Sequence, residues 1–131
     1  MSDPTLPLTA AIVSALTTSS PPVLAHIYDK VTPAATFPYV SIGPIQVIPD
    51  KADCIDGTEV FIQLDIWSQT ASSVEEKQIS AAIVAALDDQ DLTVSGYRAV
   101  IFQLQDINHL RDPDGLTWHG VLNMRALMEL A

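Results

Sequence analysis

A chain of 131 residues suits one domain with one core, and a composition that is 48% hydrophobic and 17% charged excludes a disordered segment. Sixteen acids against six cations leave a formal net charge of −10, and the cations Lys30, Lys51, Lys77, Arg98, Arg111 and Arg125 are scattered, so no basic patch exists to hold a phosphate backbone. Cys54 stands alone, which rules out an internal disulfide, and the longest apolar run, Ala81 to Leu87, is far too short to span a membrane.

The N-terminal stretch carries Asp3 and no Lys or Arg before its apolar segment, unlike a secretory signal. It predicts a first helix, with Thr5 as cap, Pro7 in the first turn, Leu8, Ile12 and Leu16 on one stripe, and Pro21 and Pro22 as its end. "VLAHIYDKV" and "YVSIGPIQVI" predict short or edge strands interrupted by Pro33, Pro38 and Pro44. Pro49 to Gly57, "PDKADCIDG", is expected to be a polar, acidic loop, with Asp50 to Gly57 mobile until a partner orders it. In "EVFIQLDIWS" the residues Val60, Ile62, Leu64 and Ile66 alternate with Glu59, Phe61, Gln63, Asp65 and Trp67, the period of a strand with one face on a core. A second face holding both Phe and Trp is unusual for solvent, and implies that something covers it.

Ser72 with Glu75, or Ser73 with Glu76, predicts a capping box that opens a second helix, with Val74, Ile79, Ile83 and Leu87 on its apolar face. Three carboxylates in "DDQD", Asp88, Asp89 and Asp91, follow the helix C-terminus, where the macrodipole disfavours them. "YRAVIFQLQDI" and "TWHGVLNMRAL" predict two further strands, joined through a type I turn at "DPDG". The second places His119, Asn123 and Arg125 opposite Trp118, Leu122, Met124 and Ala126. The order helix, strands, helix, strands implies one α+β domain over residues 1–131, a mainly antiparallel sheet with two helices packed on one face.

Nothing recommends an enzyme. His26, His109 and His119 sit on different elements without metal-ligand spacing, Asp50, Asp53 and Asp56 miss the EF-hand pattern, and no nucleophile elbow, dinucleotide fingerprint or P-loop occurs. No catalytic residue, metal site or cofactor is expected.

Several phrases occur together: Tyr28-Asp29, "PYVSIG" from Pro38 to Gly43, "DIWS" from Asp65 to Ser68, a Ser-capped helix, and "DPDGLTWHGVLNMRAL". This set, covering roughly Ile27 to Leu127, resembles the tail completion, or tail terminator, proteins of long-tailed bacteriophages and gene transfer agents. The resemblance implies a structural virion protein at the head-proximal end of the tail. It would form a homo-oligomeric, six-membered ring that ends the tail tube, meets the tube protein and the head-completion (stopper) protein, and lets DNA pass unread, with no membrane and no cofactor. On that reading the residues expected at subunit or partner interfaces are Asp50, Lys51, Asp53, Asp56, Phe61, Gln63, Asp65, Trp67 and Arg125. Asp88, Asp89 and Asp91 are candidates for the channel wall. A small ligand-binding or accessory domain of a bacterial complex is the alternative.

Overall fold

The computed structural model describes residues 3–28, 32–52 and 55–130. In chain order they form α1 (Thr5–Thr17), β1 (His26–Tyr28), β2 (Tyr39–Ala52), β3 (Ile55–Ser68), α2 (Val74–Leu87), β4 (Tyr97–Arg111) and β5 (Trp118–Leu130). The five strands make one sheet in the order β1-β2-β3-β5-β4. Every neighbouring pair is antiparallel except β1 with β2, which is parallel. This is the expected α+β class.

The core lies between the helices and one sheet face. Leu8, Ile12 and Leu16 of α1 and Ile79, Ile83 and Leu87 of α2 join Val60, Ile62, Leu64 and Ile66 of β3 in one buried cluster. Val40 and Ile42 of β2, Val94, Phe102 of β4 and Leu122, Met124, Ala126 and Met128 of β5 complete it. The spacing of four along α1 places its three aliphatic residues on one stripe, and alternation along β3 and β5 gives each strand one inward row.

The helix starts differ from the expectation. Pro4, not Thr5, precedes the first helical residue, and the Thr5 N–H donates to Asp3 Oδ1 at 2.9 Å. That bond, joined by one from the Thr5 side chain, holds the Asp3 carboxyl below its ordinary pKa. At α2, Ser73 sits at the cap without a side-chain bond, so the capping box does not form. Its acids are claimed by tertiary partners: Ser68 Oγ donates to Glu75 Oε1 at 2.7 Å, and Glu76 turns into the core.

The stretch Pro49–Gly57 corrects the loop expectation. β2 runs on to Ala52 and β3 begins at Ile55, with Asp50 opposite Gly57, Lys51 opposite Asp56 and Ala52 opposite Ile55. Polar residues extend a hairpin here because its backbone bonds are met across the ladder whatever the side chains are. Asp53 and Cys54 lie outside the described residues.

The run after α2 also has a structural role that its composition hides. β4 is an edge strand, and this segment lies along its outer side. The Asp89 N–H donates to Phe102 O at 2.8 Å, Asp88 Oδ1 accepts the Leu104 N–H at 2.8 Å, and Asp91 bridges to Ile101. Asp89 takes a left-handed conformation, φ 56°, which Asp tolerates better than most residues. Covering an edge in this way blocks unwanted strand pairing. Asp88→Ala removes a charge-assisted bond to Leu104 and is expected to cost about 1–2 kcal/mol in urea denaturation. A change within about 0.5 kcal/mol, the ordinary surface range, contradicts that role.

Two bulges bend the sheet at the same level. One lies between Ile42 and Ile45 in β2, the other between Leu104 and Asp106 in β4. Both flank the row in which Gln63 of β3 meets Asn123 of β5. An extra residue on each outer strand increases local twist, so the sheet curls about this row.

Candidate functional site

The sheet face away from the helices presents alternate residues of all five strands, and among the described residues no helix covers it. Glu59, Phe61, Gln63, Asp65 and Trp67 lie on it, as the alternation of β3 requires. All but the buried Asp65 are half-buried, because side chains of the same face lean on one another.

One end of this face is an aromatic band. Tyr28 meets Tyr39 edge-on at 5.5 Å, Phe37 approaches Tyr39 at 5.0 Å, and Tyr39 lies 6.3 Å from Trp67. Trp67 stacks on His119 with centroids 3.8 Å apart and planes inclined by 12°. The rings cross four strands because His26, Tyr39, Trp67 and His119 fall in register. Burial keeps the Tyr39 phenol protonated to higher pH than usual, with the Tyr28 phenol adding to the effect. Trp67 Nε1 donates to Ser41 Oγ at 3.2 Å, and His119 Nε2 lies 2.8 Å from Asp65 Oδ1. Gln63 Nε2 donates to Asp65 at 3.0 Å, and Gly43 in the β2 bulge lets the backbone approach this carboxylate. A Cβ on Gly43 would meet Asp65 Oδ2 at 2.9 Å.

Toward the other end the face is polar and its charges are paired. Arg125 Nε donates to Glu59 Oε2 at 2.6 Å, and its Nη1 donates to Gln103 Oε1 at 3.1 Å. Asn123 and Asn108 donate to Asp106 Oδ1 at 2.7 and 3.2 Å, and Arg98 meets Glu129 at 3.5 Å. Between the bulges lies a shallow depression of about 370 Å³, lined by Gln46, Phe61, Gln63, Gln105 and Asn123 among others. Its lining is mostly amide and apolar, with one carboxylate, Asp106, which accepts from Asn123 and Asn108.

Of the interface candidates, Phe61, Gln63, Asp65, Trp67 and Arg125 share this one face. Asp50, Lys51 and Asp56 stand at the far end of the β2–β3 hairpin. Asp88, Asp89 and Asp91 lie along the β4 edge, with the Asp88 carboxylate already engaged. Sequence reasoning missed the partners: His119 under Trp67, Ser41 on its indole, and Glu59 on Arg125. It also missed Glu76, fully buried, whose carboxylate oxygens both lie 2.7 Å from His109 Nδ1. A glycine facing a helical acid was the one signal, since Gly120 is where that carboxylate fits. Among the described residues no group of three or more His, Cys, Asp or Glu side chains could hold a metal ion.

Comparisons with known proteins show which family the chain is similar to. A family model described as "Tail completion protein gp17" matches residues 8–129. The chain is 28% identical over 89 residues to the tail completion protein gp17 of Bacillus phage SPP1, a match covering 68% of this chain and 66% of that one. It thus spans about two thirds of that relative's length. A chain in the solved structure titled "Virion of native gene transfer agent (GTA) particle" superposes with a TM-score of 0.82 at 25% identity, over 93% of this chain and 94% of that chain.

Proposed function

Since the chain belongs to the tail completion protein gp17 family, a family of structural tail proteins, we propose that it is the ring that ends the tail tube at the head-proximal side of the virion. Six copies surround the passage, stop tube growth and present a surface to the head-completion protein, while DNA passes through without being read. The ring assembles in the host cytoplasm from single-domain subunits, and no cofactor takes part.

The observation that carries this reading is the family match over residues 8–129, joined to a sheet face that no helix among the described residues covers. That face combines aromatic rings with internally paired charges, the composition of a surface that meets protein and not solvent alone. Sixteen acids against six cations suit a passage for DNA, because each cation neutralising a phosphate adds salt-sensitive affinity that would retard transit.

Two measurements test the proposal. Added to growing tubes of the cognate tail protein, the chain shortens them as seen in negative stain. In filter-binding titration it retains no duplex DNA at physiological salt. Unchanged tube lengths, or tight DNA binding, overturn the reading.

A further inference from the structure

At the junction of β4 and β5 the chain builds a cleft that the open face does not include. It has a volume of about 350 Å³ and is lined by Gln69, Thr70, Ala71, Arg111, Leu116 and Trp118 among others. The Arg111 guanidinium lies over the Trp118 ring, 4.5 Å from its centroid. Stacking fixes the plane of the guanidinium while leaving its N–H edge available. No carboxylate among the described residues lies within ion-pairing distance of Arg111. The nearby Asp114 is consumed by the turn: it accepts the N–H groups of Leu116 and Thr117 and the Thr117 hydroxyl, all within 2.9 Å. Those bonds, led by the Leu116 N–H, hold its carboxyl below the ordinary pKa. The same turn holds Leu116 outward, 70% exposed. In an acidic chain this is a stacked cation with an apolar side chain beside it and no anion among the described residues to pair with.

The complementary surface lies at the other end of the same strand. Asp89 and Asp91 are exposed along the β4 edge, and neither carboxylate has a described partner. Beside Asp91 stands Ile101, itself 40% exposed. The ten residues from Ile101 to Arg111 span roughly 33 Å of strand, too far for contact within one copy. We propose that the Arg111–Trp118–Leu116 cleft of one copy receives Asp89 and Asp91 of the next, with Ile101 packing beside Leu116. The contact is heterologous, joining different patches on each copy, which is the kind that closes a ring. It rests on the ring reading above and places these two acids at the subunit junction.

Charge swapping tests it on the full chain. Arg111→Glu makes both patches acidic. Asp91→Lys combined with Asp89→Asn makes the second patch basic, asparagine being tolerated at left-handed φ. Each variant is first shown to fold by circular dichroism. In analytical ultracentrifugation at low salt, each alone should need about tenfold more protein to assemble, since like charges then face each other. A one-to-one mixture should restore assembly, because an even-numbered ring can alternate the two variants, and the triple variant should restore it too. If Arg111→Glu assembles like the unaltered chain, or the mixture does no better than its parts, the contact is wrong while the ring stands. If the unaltered chain never assembles, alone or with tube protein, the ring reading falls and the contact with it.

Discussion

Gly120→Ala will destabilise the chain by about 3 kcal/mol, at the upper end of what overpacking a core usually costs. A Cβ at this position of β5 would run into Glu76 Oε1 and come within 3.3 Å of Ile66 Cδ1. The carboxylate cannot simply swing away, because it is fully buried and held by His109. Displacing it strands a buried polar group without its partner, which is costlier than the lost contact itself. The cause is therefore specific and testable by a double-mutant cycle. In a Glu76→Ala background the added methyl enters vacated space, and its cost should fall below about 0.5 kcal/mol, the ordinary range for a neutral substitution. Equal costs in the two backgrounds, read from urea denaturation, would show that Gly120 is needed for backbone reasons alone.

Ile62→Ala should cost about 2–5 kcal/mol, the range for truncating an aliphatic side chain in a packed core. Ile62 is 2% exposed and lies in the central strand, with Ile45 opposite on one side and Met124 on the other. Both neighbours come from long strands that cannot collapse inward without breaking ladder bonds, so the cavity persists. A cost below about 0.5 kcal/mol would mean that the inward and outward rows of β3 are exchanged.

Periodicity made the architecture readable. Leu8, Ile12 and Leu16 had to share a stripe, and Val60 to Ile66 had to share a sheet face, because those spacings match the helix and strand repeats. Polarity misled at Asp50 to Gly57, where a hairpin tolerates charged side chains that look like loop residues. The acid run after α2 misled in the same way, since Asp88 serves a backbone N–H sixteen residues on in the chain. At the open face, Phe61, Gln63, Asp65 and Trp67 were legible as companions from alternation alone. Their partners were not. His119 meets Trp67 only in one register of β5 against β3, and the register is set by both strands and by the bulges together. The Glu76–His109 pair was hidden more deeply, because a Ser-x-x-Glu pattern at a helix start has a local explanation that the tertiary structure overrides.

The chain order of the sheet has a kinetic consequence. β2 with β3, and β4 with β5, are hairpins that pair sequence neighbours, whereas β3 and β5 meet across the whole of α2 and β4. Local pairings form early, and a seam between distant segments must wait for a large loop to close. Arg125 reaches Glu59, and His119 reaches Asp65 and Trp67, only across this last seam. A half-folded chain therefore lacks His119 beneath Trp67 and Asp65, and lacks the Arg125–Glu59 pair, although Tyr39 already meets Trp67 within the β2–β3 hairpin. Joining of the two hairpins is therefore the step that finishes this face, and a chain halted before it presents the same strands without their central cross-links.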